Sequence, residues 1–279
     1  DPMNSNASRI RTPRAINVAV QLILIFSTFF PFYFMLISSV KNNVQISQSY
    51  FLPVLPLQLE NYGLAFQKVI TYLYNSTLIC TVSALGVAAV SCLTSYVFAR
   101  FEFPGKNGLF NLLLAFLMIP GVLSLIPSFA LIARMNLTNR YWGCILPYIA
   151  FGQITFVFIL RTFIEQIPRD LFDAATIDGA THPMVFRYIV LPLSRPILFS
   201  LVLMNFLANW NDFIWPLLVL PREKMKTVTV GLYAFTDVQQ IQYGLMFAGF
   251  VIAAVPLILL FALNMNAFVR GATSGAIKA

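Results

Sequence analysis

Long runs without a charged side chain limit what this chain can fold into more than any other feature. Ala15–Val40 (26 residues), Val69–Ala99 (31), Asn107–Ala133 (27), Tyr141–Leu160 (20) and Val238–Val269 (32) hold no Asp, Glu, Lys or Arg. Pro196–Pro221 (26 residues) holds one, Asp212. A bilayer core of about 30 Å is crossed by about 20 helical residues, each rising about 1.5 Å. All six runs reach that length. None alternates apolar and polar residues as a barrel strand would, so helices must satisfy the backbone inside lipid. Composition agrees: 59% of the 279 residues are apolar, 10% are charged and mean hydropathy is +0.79, against about 45–50% apolar and about 25% charged in soluble domains.

The expected architecture is therefore all-α and polytopic, with six transmembrane helices over about 15–40, 71–99, 108–133, 141–162, 196–220 and 243–269. They make a membrane domain over 15–270, flanked by an N-terminal segment 1–14 and a tail 271–279, with a long loop at 163–195. Basic residues set the orientation. With the N-terminus in the cytoplasm, eleven Lys and Arg fall inside and seven outside, which favours both termini inside. Prolines in or beside the spans (Pro31, Pro120, Pro127, Pro147, Pro216, Pro256) predict kinked helices around a cavity.

The net charge of +8 is spread over loops, a membrane-surface pattern that argues against nucleic acid as a partner. Three cysteines (Cys80, Cys92, Cys144) sit in apolar runs without CxxC spacing and predict neither a disulfide nor a metal site. His182 is the only histidine. No GxxxxGK[ST] phosphate loop and no nucleophile–base pair occurs, so no enzyme and no resident cofactor is expected.

The 163–195 loop is more than a connector. Pro168 suits the first turn of a helix, Asp170 and Asp173 suit its positive end, and Gly179 suits a left-handed stop. Thr181 can cap a second helix with Pro183 in its first turn. Phe186, Ile189 and Val190 then form one apolar stripe, Leu191-Pro192 ends the helix and Pro196 opens the next span. Two short helices meeting at a Gly elbow are expected, with Asp178 capping at the elbow. The stripe around Phe186 is either a docking knob or an interfacial face on the headgroups.

Asp173-Ala174-Ala175-x-x-Asp178-Gly179-Ala180-x5-Phe186-x-x-Ile189-x-Leu191-Pro192-x3-Pro196 resembles the EAA motif of ABC-importer permease subunits, with Asp173 in place of the usual Glu. The resemblance implies a MetI-like permease fold in which this loop is the cytoplasmic coupling helix seated in an ATPase cleft. Asn209-Trp210-Asn211-Asp212-Phe213-Ile214-Trp215-Pro216 resembles a segment of carbohydrate-importer permeases. Arg270 to Ala279, with Gly271, Gly275 and Lys278, is similar to the tail of the second permease subunit of maltose-type importers, and the resemblance implies contact with the ATPase. It also implies a homologous second permease, two ATPase subunits that hold ATP and magnesium, a soluble sugar-binding protein and a bacterial inner membrane. By the same resemblance Gly231 and Tyr233, in the last outer loop, are candidates to touch the binding protein; packing on the partner permease is the other reading.

Asp212 is the one acidic residue inside a span, and a carboxylate at that depth must be paired or wet. With Asn209, Trp210 and Asn211 it is a candidate for the sugar path, or it caps a kink before Pro216. The alternative function is an ion-coupled secondary transporter, which would call for more ionisable groups at mid-membrane and two inverted halves. Seven basic against three acidic residues outside lean towards an acidic cargo.

Overall fold

The computed structural model describes residues 14–233, 235 and 241–276, with side chains over 16–233, 235 and 241–262. Among the described residues there are helices and no strands. In chain order they are α1 (Arg14–Ser39), α2 (Asn43–Gln48), α3 (Glu60–Arg100), α4 (Lys106–Leu117), α5 (Gly121–Arg134), α6 (Trp142–Glu165), α7 (Arg169–Ile177), α8 (His182–Val185), α9 (Leu191–Asn211), α10 (Ile214–Val219), α11 (Val228–Tyr233) and α12 (Tyr243–Ala276). Five stretches among them are long and apolar enough to cross a membrane, and six if the α4–α5 pair counts as one.

The helices depart from the expected spans at several places. The single helix expected over 108–133 is broken into α4 and α5, bent by 101°. Pro120 stands at the break with φ −58° and ψ 126°, offers no N–H to the preceding turn and disfavours helical backbone at Ile119. At about 1.5 Å per residue the 41 residues of α3 run about 60 Å, twice a bilayer core. Leu191-Pro192 does not end a helix: His182 to Asn211 is continuous over 30 residues. Pro192 has no N–H for the carbonyl one turn back, and the preceding residues Phe186–Val190 open into a π-turn in which the Leu191 N–H reaches the Phe186 carbonyl. The span expected to reach 220 instead stops at Asn211, and α10 restarts it after Asp212-Phe213. At the other end of the chain α12 continues through Gly271 and Gly275 to Ala276, so most of the expected tail is helix; Lys278 lies outside the described residues.

The chain divides into two compact units, Asp1–Phe66 with Val238–Ile252, and Gln67–Asp237 with Ala253–Ala279. In the first, α1 presents an apolar face none of which is buried. Lys41 follows it and is fully buried, its ammonium donating to the Ser49 carbonyl at 2.8 Å, and burial pushes its pKa down. Asn61 donates to the Ser39 and Lys41 carbonyls, and Phe34 meets Phe247 edge-on at 5.5 Å.

The second unit is packed around α3, α6 and α9. Val87, Phe156, Leu160 and Leu201 form one buried cluster. Ile79, Ile132, Cys144, Ile145, Trp215, Val219 and Leu220 form another. The three cysteines are buried and free. At the turn after α5, Asn136 takes φ 55°; its N–H bonds the Ala133 carbonyl and that of Leu137 bonds the Ile132 carbonyl, so a Schellman cap closes the helix with Asn in the usual glycine place.

Gly231 sits in α11 with a Tyr72 ring against its α-carbon, where an added methyl would overlap the ring. Gly231→Ala is expected to destabilise the chain by about 1–3 kcal/mol, the range for overpacking a filled site, read as a lower melting temperature of the purified membrane protein. An unchanged melting temperature would mean that Tyr72 yields freely.

Candidate functional site

The elbow at Gly179 is built by backbone hydrogen bonds. Pro168 is the N-cap of α7 and Asp170 lies in its first turn. At its other end the Gly179 N–H donates to the Thr176 carbonyl at 3.1 Å and the Ala180 N–H to the Ala175 carbonyl at 2.9 Å. That is the Schellman pair, and it requires the left-handed residue that Gly179 supplies at φ 76°. Ala175 and Ala180, which close this motif, both pack against the buried cluster of Tyr96, Ile164, Ile167, Val185 and Val190. Pro183 opens α8 as expected, while the Thr181 hydroxyl makes no capping bond. Asp178 caps through its backbone N–H, which donates to the Ala174 carbonyl; the side chain is exposed, so an Ala there keeps the bond and the expected capping role is corrected.

The apolar stripe points the other way from the expectation. Phe186 and Ile189 are half-buried on the same cluster, with Phe186 5.5 Å from Tyr96. They fasten the elbow to the ends of the spans and are not a free knob. The exposed apolar side chains are Leu171, Ile177, Met184 and Tyr188, with Ile177 86% exposed at the tip of α7. Asp173 and Ala174 share that open side, while Leu191 and Pro192 are half-buried at the start of α9. Sequence reading missed Ile177 because, on a bent elbow, helical spacing alone does not say which stripe faces the body.

The polar groups at membrane depth are divided by burial. Trp210 is 3% exposed and stacks on Phe206, and Trp215 is buried with its indole N–H donating to the Gly143 carbonyl. Neither offers a ring face to a ligand, which corrects Trp210 as a path residue. Asn209 donates to Asn205 at 2.9 Å, and Asn211 to the Leu207 carbonyl in its own helix. Asp212 is half-buried at the α9–α10 break, with φ −68° and ψ 127°. Its carboxylate accepts the Tyr148 hydroxyl at 2.8 Å and the Trp215 N–H at 3.4 Å, and its carbonyl accepts the Thr229 hydroxyl at 2.9 Å. Ser91 and Gln153, 2.7 Å apart, add a second polar contact between α3 and α6. Tyr148, Gln153 and Asn205 were legible as polar residues in apolar runs, but nothing in their spacing paired them with Asp212 or Asn209.

On the loop side, Gly231 is buried against Tyr72 and has no surface to offer a soluble partner, which corrects its expected role. Tyr233 is 63% exposed and meets Phe213 edge-on at 5.3 Å. Glu223 accepts from Lys226 and from the Tyr72 hydroxyl, and these donors hold its carboxyl below the usual range. With Lys41 buried and Lys226 paired to Glu223, the outer count narrows from seven basic against three acidic residues to five against two, so the excess of basic residues outside persists.

The family model described as "Binding-protein-dependent transport system inner membrane component" matches residues 89–274. The probable ABC transporter permease protein YurM of Bacillus subtilis is 34% identical over 251 residues, covering 89% of this chain and 83% of that protein. The diacetylchitobiose uptake system permease protein NgcG of Streptomyces coelicolor is 30% identical over 276 residues, covering 98% and 91%. The maltose/maltodextrin transport system permease protein MalG of Escherichia coli is 34% identical over 216 residues, covering 75% and 73%. Among solved structures, a bacterial ABC transporter involved in import of the acidic polysaccharide alginate superposes with a TM-score of 0.82 at 18% identity, over 96% of this chain and 100% of that one.

Proposed function

Because the chain belongs to the family of binding-protein-dependent transport system inner membrane components, we propose that it is the permease subunit through which an ATP-driven importer moves a sugar or oligosaccharide. It spans the inner membrane several times and does no chemistry of its own. The family description makes it dependent on a binding protein; a homologous second permease and two ATPase subunits carrying ATP and magnesium complete the assembly. Its termini face the cytoplasm, on the side with the larger count of basic residues. The relatives named for diacetylchitobiose and for maltose or maltodextrin support a neutral oligosaccharide as cargo. Tyr233 faces the binding protein, and the end of α12 with Gly271 and Gly275 lies on the ATPase side.

The observation that carries this reading is the exposed apolar face of α7 and α8, with Ile177 at its tip, on an elbow whose opposite face is packed into the span ends. An apolar surface fixed in this way to the transmembrane core suits docking, since motion passes between subunits only through packed contacts. Ile177→Cys should form a disulfide with a cysteine in the ATPase cleft of the purified complex, and uptake should stop on ATP depletion yet survive an uncoupler while ATP is maintained. Uptake that collapses with the uncoupler at constant ATP would instead identify ion-coupled transport.

A further inference from the structure

The elbow is covalently joined to α6 and α9, and it also meets a third helix. Arg100, the last residue of α3, sends one guanidinium nitrogen, Nη2, to the carbonyls of Ile164 at 2.9 Å and Ile167 at 2.7 Å. These are carbonyls at and just past the end of α6, where helix geometry leaves acceptors unmet and a cation is favoured. The same guanidinium lies over the Phe172 ring of α7, 3.6 Å from its centroid, in cation–π contact. Its Nε is buried without an acceptor, so the two carbonyls and the ring are what hold the group in place. The next residue, Phe101, sits 4.7 Å from the His182 ring at the start of α8 and 5.6 Å from Tyr96. A cavity of about 350 Å³ bordered by Arg169, Asp173 and Thr176 separates the rest of α7 from the end of α3.

We propose that Arg100 is a positioning residue that latches the coupling elbow to the end of α3, so that displacement of α7 is delivered to α3 as well as to the two helices joined to the elbow. This rests on the reading of the elbow as the ATPase contact. Phe101 holds the α8 arm while Arg100 holds the α7 arm, and both arms therefore move with α3. One nitrogen makes both hydrogen bonds, and the planar guanidinium adds the stack on Phe172. A Lys ammonium has the donors for both carbonyls, but it has no planar face to stack on Phe172. Farther along α3, Val87 lies in the buried cluster with Phe156, Leu160 and Leu201, so the displacement enters the packed centre of this unit.

The test uses the complete complex in proteoliposomes, with nitroxide labels at Val97→Cys on α3 and Asp170→Cys on α7; the native cysteines are buried. The distance between the labels is read nucleotide-free and after trapping with ATP and vanadate. The wild-type chain should show one narrow distance, the same in both states. Arg100→Met should broaden it and make its mean shift between the states. Arg100→Lys, which keeps the donors but loses the planar stack, should shift less than Arg100→Met, and Phe172→Leu should also give a smaller shift. A loss of thermal stability alone would not create that dependence on nucleotide. If Arg100→Met does not accumulate in the membrane, Phe172→Leu decides by itself. A narrow, state-independent distance in Arg100→Met, or in Phe172→Leu where that variant decides, overturns the latch and leaves the importer reading intact. Failure of the wild-type chain to bring an ATPase with it overturns both.

Discussion

Gly179→Val should leave the subunit in the membrane and all but abolish uptake, while Gly179→Asn should keep most of it. The reason lies in the backbone. Gly179 holds φ 76° so that its own N–H and that of Ala180 can close the end of α7. A β-branched residue pays about 1–2 kcal/mol or more for that conformation, whereas Asn visits it routinely. No atom lies within 4 Å of where a β-carbon would stand, so steric overlap plays no part and the pair of variants isolates the left-handed requirement. With Val the cap opens, α7 swings relative to α8, and Ile177 misses its seat. Since about 1.4 kcal/mol is a factor of ten, uptake into proteoliposomes should fall at least about tenfold for Val and stay within about twofold for Asn. Partner ATPase activity in the Val variant should no longer respond to sugar. Wild-type uptake by Gly179→Val would remove the elbow from the mechanism.

The second large effect is expected at Asp212. Its carboxylate lies at a break between half-helices and accepts the Tyr148 hydroxyl and the first-turn N–H of α10. Asp212→Ala strands the Tyr148 donor at membrane depth, where a lost partner costs about 1–3 kcal/mol, and removes the group that opens α10. Uptake should drop about tenfold with a lower melting temperature, and Asp212→Asn, which retains an acceptor oxygen, should recover most of both. If Asp212→Asn is as inactive as Ala while melting like the wild type, the charge itself handles cargo and the structural role is secondary.

What the sequence determined by itself were features set by neighbours along the chain. Charge-free runs without apolar–polar alternation fixed the helical, membrane-spanning class, because a helix satisfies its own backbone in lipid and the other solution, a closed barrel, needs that alternation. The Pro-Asp start and Gly end of α7 were legible because caps depend on residues within one turn. The family resemblance rested on the same local spacing around Gly179. Tertiary structure decided everything that depended on which face met which neighbour. Phe186 and Ile189 turned inward onto Tyr96 and Ile164, leaving Ile177 outside. Trp210 and Gly231 were lost to buried packing, and Asp212 found Tyr148 64 positions away. Arg100 looked like one more positive-inside charge until the fold brought the end of α6 and the Phe172 ring to it. A periodic pattern names the stripe that is apolar, but burial is settled only when a second surface arrives to cover it, and in this chain that surface comes from helices far away in sequence.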